Sequence, residues 1–211
     1  MKTRLQKDFY RQDTVDVARG LLGRLLVHRL PNGTRLSGRI VETEAYLGID
    51  DPAAHSFGGR RTPRTEAMFG EAGLSYVYFI YGVYFCFNVV TAKRDVPEAV
   101  LVRALEPVEG LALMRRDWRK RGRPEIRPEH IANGPGKLCI ALGLNRAQNA
   151  LDLTTSNELW IEDQPGVHDS EIIEGARVGI GTLHDAVHWP LRFGVRGHSS
   201  LSPAKFTNYF A

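Results

Sequence analysis

Residues 75–90 read SYVYFIYGVYFCFNVV. The run is dense in aromatic and β-branched side chains, which suit a pleated, half-buried surface, and Tyr81-Gly82 interrupts it. It reads as strand, tight turn, strand. Tyr81 is a poor choice for such a turn, because two-residue hairpin turns need positive φ and a bulky L residue resists it. A large aromatic kept at a hairpin tip against that preference points to a use for the tip beyond turning. Upstream, Arg24 to Leu30 and Leu36 to Leu47 flank Pro31-Asn32-Gly33 as a second hairpin. Downstream, Ala99 to Leu105 is a strand, and more strands are expected near Leu159, Val178 and Leu191–Val195. Asp13-Thr14 starts a helix with Val15, Val17, Ala18, Leu21 and Leu22 at helical spacing. Glu106-Pro107 is read as opening a helix through about Lys120, and Gly134-Pro135-Gly136 leads into a short one. Gly48–Arg64 and 121–132 are loop-like. The sum is an α+β fold: a single mixed domain over 1–211, with a curved, mostly antiparallel sheet, peripheral helices and a protruding β-hairpin. Residues 1–7 and about 200–211 are expected to be loose termini.

The 211 residues suffice for one substantial core. With 43% hydrophobic and 25% charged residues the chain has the composition of a soluble globular protein. No apolar run has the length of a membrane span, and the start, Met1 to Asp8, is charged and lacks a signal-type segment. The expectation is a cytoplasmic protein without membrane contact, close to the nucleoid if bacterial. Cys86 and Cys139 sit in apolar runs, so buried free thiols are expected. The net charge of +4 is mild, but it is unevenly placed. A basic run spans Arg115 to Arg123, Arg60, Arg61 and Arg64 form a second cluster, and acidic residues gather between Glu158 and Glu174. That asymmetry suits one polyanion-facing side, although a solvated helix face accounts for the first run equally well.

Alternation along the strand at 36–47 puts Ile40, Glu42, Glu44 and Tyr46 on one face. Arg103 lies between Leu101 and Leu105 on one face of its own strand, so its guanidinium is expected to be at least partly buried. It cannot shed its charge and needs an acceptor. Glu44 is a natural partner: either a structural ion pair, or a carboxylate held ionised to activate water. Asn133-Gly134-Pro135-Gly136-Lys137 before a helix forms a plausible phosphate seat, though it lacks the P-loop spacing.

Several ordered blocks carry a resemblance. They are Glu42-Thr43-Glu44-Ala45-Tyr46-Leu47-Gly48, Ala54-His55-Ser56, Gly58-Gly59-Arg60 with Thr62-Pro63-Arg64, and Tyr76 to Gly82 with Tyr84-Phe85-Cys86 and Asn88. Leu101 to Pro107, Gly134-Pro135 with Lys137-Leu138-Cys139, and Arg177 to Gly181 follow. Together they resemble the alkyladenine (3-methyladenine) DNA glycosylase family, in order from roughly residue 8 to 198. The resemblance implies a DNA repair hydrolase acting on alkylated or deaminated purines in double-stranded DNA. Glu44 would be the general base, with Arg103 and the main chain at Ile180 holding the water. Tyr46, His55 and Tyr78 would surround the flipped base, and Asn88 would police its exocyclic group. Tyr81 would fill the gap in the duplex, while Arg60, Thr62, Arg64 and Lys137 would touch the DNA backbone. No cofactor or metal is implied, and a monomer is expected. With no lysine nucleophile in the pocket blocks, the enzyme is expected to leave an abasic site without nicking the strand. Phe57 stands where mammalian members carry a basic residue, and 115–131 departs from them too.

Two rival readings differ in class. His184 and His188 are spaced as metal ligands on a helix, but Trp189-Pro190 follows at once and no HExxH pattern exists. A non-catalytic damaged-DNA-binding module would use the same cations and aromatics, yet would have no need of Glu44 beside Arg103.

Overall fold

The two hairpins become the two ends of one sheet. The computed structural model describes residues 3–181 and 185–207. In it, β1 (Leu25–Arg29) and β2 (Arg35–Tyr46) form the first hairpin, and β3 (Ser75–Ile80) and β4 (Tyr84–Val90) the second. Between them lies β5 (Ala99–Glu109), paired with β4 on one edge and β2 on the other. The fragment β6 (Leu159–Glu162) extends the sheet beyond β1. Two short strands, β7 (Ile172–Gly175) and β8 (Arg192–Val195), pair with each other, and β8 joins β2. The order is β3-β4-β5-β2-β1-β6, and every pairing among these strands is antiparallel.

β2 is the organising strand because it changes neighbours along its length. On one edge β1 covers Arg35–Arg39 and β8 covers Glu42–Glu44. Its register with β5 slips at Ile40/Glu42 and Glu42/Thr43. Such bulges bend a strand and re-aim its side chains, so the sheet curves at the point where the two glutamates stand. The helices are α1 (Lys7–Tyr10), α2 (Thr14–Gly20), α3 (Leu111–Lys120) and α4 (Pro135–Leu142). The Asp13 carboxylate caps α2 by accepting the Val15 N–H at 2.8 Å, and Thr43 Oγ1 on β2 donates to the Ala18 carbonyl at 2.8 Å. One core joins these layers, with Val17 from α2, Leu21 and Leu22 from the turn that follows it, Leu26 and Ile40 from the first hairpin, Phe87 and Leu105 from the centre, and Leu138 and Leu142 from α4. Cys86 and Cys139 are buried and free. Among the described residues no helix is long and apolar enough to cross a membrane.

Three sequence expectations need correction. The helix does not open at Glu106-Pro107: β5 runs on to Glu109, and α3 begins at Leu111 after Gly110 turns at φ 83°. The ladder partner Ser37, whose Oγ donates to Glu109 at 2.7 Å, and Arg35, whose Nε does so at 3.2 Å, hold that stretch extended. Val178 lies in a bend, and the strand of that region is β7. The ends are packed over their described parts. Leu5 is buried and bonds the Ile161 carbonyl at 2.9 Å, while Ser200 and Ser202 are buried.

Candidate active site

The protruding hairpin, the loop after β2, the start of α4 and the segment after β7 enclose a cleft with a volume of roughly 680 Å³. Its walls are aromatic. Tyr76 and Tyr78 come from β3, and His55 from the loop meets the Tyr78 ring edge-on with centroids 4.6 Å apart. His55 Nδ1 is 2.9 Å from the Tyr76 hydroxyl. Burial, with Arg64 and Arg60 nearby, lowers the imidazole to about 4, so the ring is neutral at physiological pH. Burial raises the Tyr76 phenol to about 12, and burial with Cys86 raises Tyr78 further. The cleft therefore offers uncharged aromatic faces. Asn88 on β4 is buried and donates through Nδ2 to the Tyr76 carbonyl at 3.0 Å, which fixes its orientation at the wall.

Glu44 lies behind the cleft floor and is fully buried. Three donors from three parts of the chain hold it. Tyr46 OH donates to Oε2 at 2.9 Å, the Val178 N–H donates to Oε1 at 2.8 Å, and Arg103 Nη1 stands 3.1 Å from Oε1. Burial works against the charge of Arg103, but Glu44 and Glu42 outweigh it and push its pKa above the ordinary arginine value. Tyr46 is raised well above its usual value by burial and by Glu44, so it remains a hydrogen-bond donor. The carboxylate thus sits out of solvent among three donors, one of them a guanidinium.

Tyr46, His55, Tyr78, Tyr81, Asn88, Arg103, Lys137 and Ile180 all line this one cleft. Tyr81 projects at the hairpin tip, 80% exposed, at φ 54° with Gly82 at 67°. The strained turn that the sequence suggests is thus present. The main-chain donor on Glu44 belongs to Val178; Ile180 stands two residues on at the cleft wall.

The expected backbone contacts divide. Lys137 Nζ donates to Asn133 Oδ1 at 2.7 Å at the cleft edge, and burial, then Arg123, lower its pKa. Arg64 folds back over the Tyr78 ring, 4.9 Å from its centroid. Thr62 hydrogen-bonds locally with Thr65, and Arg60 is exposed. Sequence reasoning gave no role to Glu42, Asp51 and Arg177, although Glu42 shares the face of Glu44. Arg177 pairs with Asp51, donates to the Ala45 carbonyl at 3.0 Å and lies over the Tyr46 ring at 4.7 Å. It thereby fixes both Tyr46 and the turn that carries Val178. Among the described residues no three His, Cys, Asp or Glu side chains converge as metal ligands; His184 of the candidate pair lies outside them.

The chain matches the methylpurine-DNA glycosylase family over residues 8–199. A relative from Clostridium acetobutylicum, named as a candidate 3-methyladenine DNA glycosylase, is 48% identical over 206 residues, 96% of this chain and 98% of the relative. The human DNA-3-methyladenine glycosylase is 47% identical over 206 residues, 95% of this chain and 68% of the human protein. The chain belongs to the methylpurine-DNA glycosylase family and is a DNA glycosylase.

Proposed function

We propose that this glycosylase turns an alkylated or deaminated purine out of duplex DNA into the aromatic cleft and hydrolyses its N-glycosidic bond with a water activated by Glu44, leaving an abasic site. The observation that carries the reading is the buried Glu44 carboxylate, held by Arg103, Val178 and Tyr46 at the base of an aromatic cleft. Turning out a nucleotide costs a few kcal/mol, least for a damaged base. Tyr81 at the exposed tip stacks in the vacated space and offsets part of that cost.

Purines alkylated at N3 or N7 are cationic, and a cation against a tyrosine face gains about 0.5–2 kcal/mol. The neutral His55 adds no repulsion. As the glycosidic bond stretches, its electron pair leaves with the base and positive charge grows on the sugar. The Glu44 carboxylate faces that charge, takes a proton from the attacking water, and Arg103 keeps it oriented. Asn88, fixed by the Tyr76 carbonyl, excludes bases whose exocyclic group collides with it. The whole chain acts as one catalytic domain and as a monomer, and no lysine attacks the sugar, so the strand is not nicked.

Single-turnover excision on duplexes carrying 3-methyladenine, 7-methylguanine, hypoxanthine or 1,N6-ethenoadenine tests the reading and defines the lesion range. Glu44→Gln should bind the same duplexes and lose excision by a factor of about 100 or more. Near-normal turnover of that variant would remove Glu44 from the role, and binding without excision by the parent would leave a damaged-DNA-binding module.

A further inference from the structure

A second carboxylate lies under the first. Glu42 is fully buried and collects four hydrogen bonds. Its Oε1 accepts from Arg103 Nε at 2.7 Å, Arg192 Nε at 2.8 Å and Ser202 Oγ at 2.8 Å, and its Oε2 accepts the Ser202 N–H at 2.7 Å. None of these donors needs Glu42 for secondary structure. Arg192 is fully buried as well. It carries the arrangement onward, donating to the carbonyls of Ala204 at 2.8 Å and Lys205 at 3.1 Å, and its guanidinium lies 3.9 Å from the centroid of the Phe206 ring. Ser202, Pro203 and Ala204 in turn line the cleft.

We propose that Glu42 is a positioning residue that aims Arg103 at Glu44 and, with Arg192, latches the segment 202–206 in place as a wall of the base pocket. The first half follows from the fork of the guanidinium. With Nε committed to Glu42, the plane of Arg103 is fixed and Nη1 is delivered to Glu44. The second half follows from the number of bonds. The latched segment is held to the catalytic strand through Glu42 and Arg192, and the β2 bulge is what points Glu42 at them. The pocket is therefore complete only with the C-terminal segment docked, and docking and Arg103 orientation share one carboxylate. Glu42 touches no substrate and acts through Arg103.

This rests on the proposed role of Glu44, and the test separates the two. Single-turnover excision and equilibrium flipping of a fluorescent base analogue are measured on full-length Glu42→Gln, Ser202→Ala and Glu44→Gln, with folded fraction read by thermal unfolding. Glu42→Gln should lower the excision rate per folded molecule by at least about tenfold, the equivalent of one charge-assisted hydrogen bond, while affinity for undamaged duplex changes little. Ser202→Ala keeps the Glu42 charge and the Ser202 N–H. It should chiefly weaken retention of the flipped base, by about threefold or more. A purely structural role would lower the folded fraction and leave the rate per folded molecule unchanged, and that result would overturn the proposal. If Glu42→Gln does not fold, Ser202→Ala decides, and parental flipping by that variant rejects the latch. Active Glu44→Gln would remove the underlying mechanism, whereas inactive Glu44→Gln beside a fully active, folded Glu42→Gln would reject this inference alone.

Discussion

Arg103 and Glu44 come from adjacent strands and meet with Nη1 3.1 Å from Oε1, both side chains buried. A buried ion pair contributes little net stability against an apolar replacement of both partners, but losing one partner strands the other charge. Arg103→Met would leave Glu42 and Glu44 facing each other without their shared cation. Its unfolding free energy, measured in urea, should fall by about 3–5 kcal/mol. Arg103→Lys keeps a charge without the fork, so it should recover much of that stability yet little excision. A lysine variant with full excision would show that charge alone suffices.

Tyr81 sits at a backbone conformation that costs folding energy. At φ 54° and 80% exposed it makes little packing contact while occupying left-handed backbone. Tyr81→Gly relieves that conformation, so stability should be unchanged or raised by up to about 1 kcal/mol. Base flipping, read with a fluorescent analogue, should weaken in the same variant. Parental flipping by Tyr81→Gly would show that the tip does not enter the duplex.

Much of this was legible because single residues carried conflicts. Arg103 between Leu101 and Leu105 demanded an acceptor, and Glu44 supplies it. Tyr81 at a turn announced its own strain. What stayed hidden depends on distant partners. Nothing local shows that Arg192 and Ser202 return to Glu42, so the stretch that brings Ser202, Pro203 and Ala204 to the cleft reads as loose. Pro107 fits a helix start as well as it fits a strand with one neighbour, and only the pairing of Ser37 with Glu109 decides for the strand. Arg64 follows Thr62-Pro63 in a basic cluster, and nothing local shows that the loop brings its guanidinium over Tyr78.

His55 gives a pH dependence whose sign is set by its lowered pKa. Folded, the imidazole titrates near 4, against 6.5 in its unperturbed form. Between those values the unfolded chain binds a proton that the folded one does not, so stability rises with pH through that window. The contribution is fully present above about pH 6.5 and is lost as pH falls toward 4. His55→Gln removes it. Urea midpoints of the parent should therefore drop more steeply than those of the variant between pH 6.5 and 4, with parallel curves above. Parallel curves throughout would mean that the ring is not held neutral.

Arg60 and Arg61 are sequence neighbours with different commitments. Arg61 pairs with Glu66 at 2.6 Å and Asp95 at 3.0 Å, and lies 4.7 Å from the centroid of the Phe69 ring. Arg60 is exposed and, among the described residues, has no ion-pair partner. A phosphate contact releases counterions in proportion to the cations engaged, so each lost contact lowers the slope of log affinity against log salt by about 1. Arg60→Ala should show that reduction on duplex DNA. Arg61→Ala should leave the slope unaltered, because its guanidinium is already neutralised within the protein and would have to abandon two carboxylates and a ring to reach the strand. Equal slopes for Arg60→Ala and the parent would place the backbone contact elsewhere on the loop. A reduced slope for Arg61→Ala would mean that the Glu66 and Asp95 pairs open when DNA arrives.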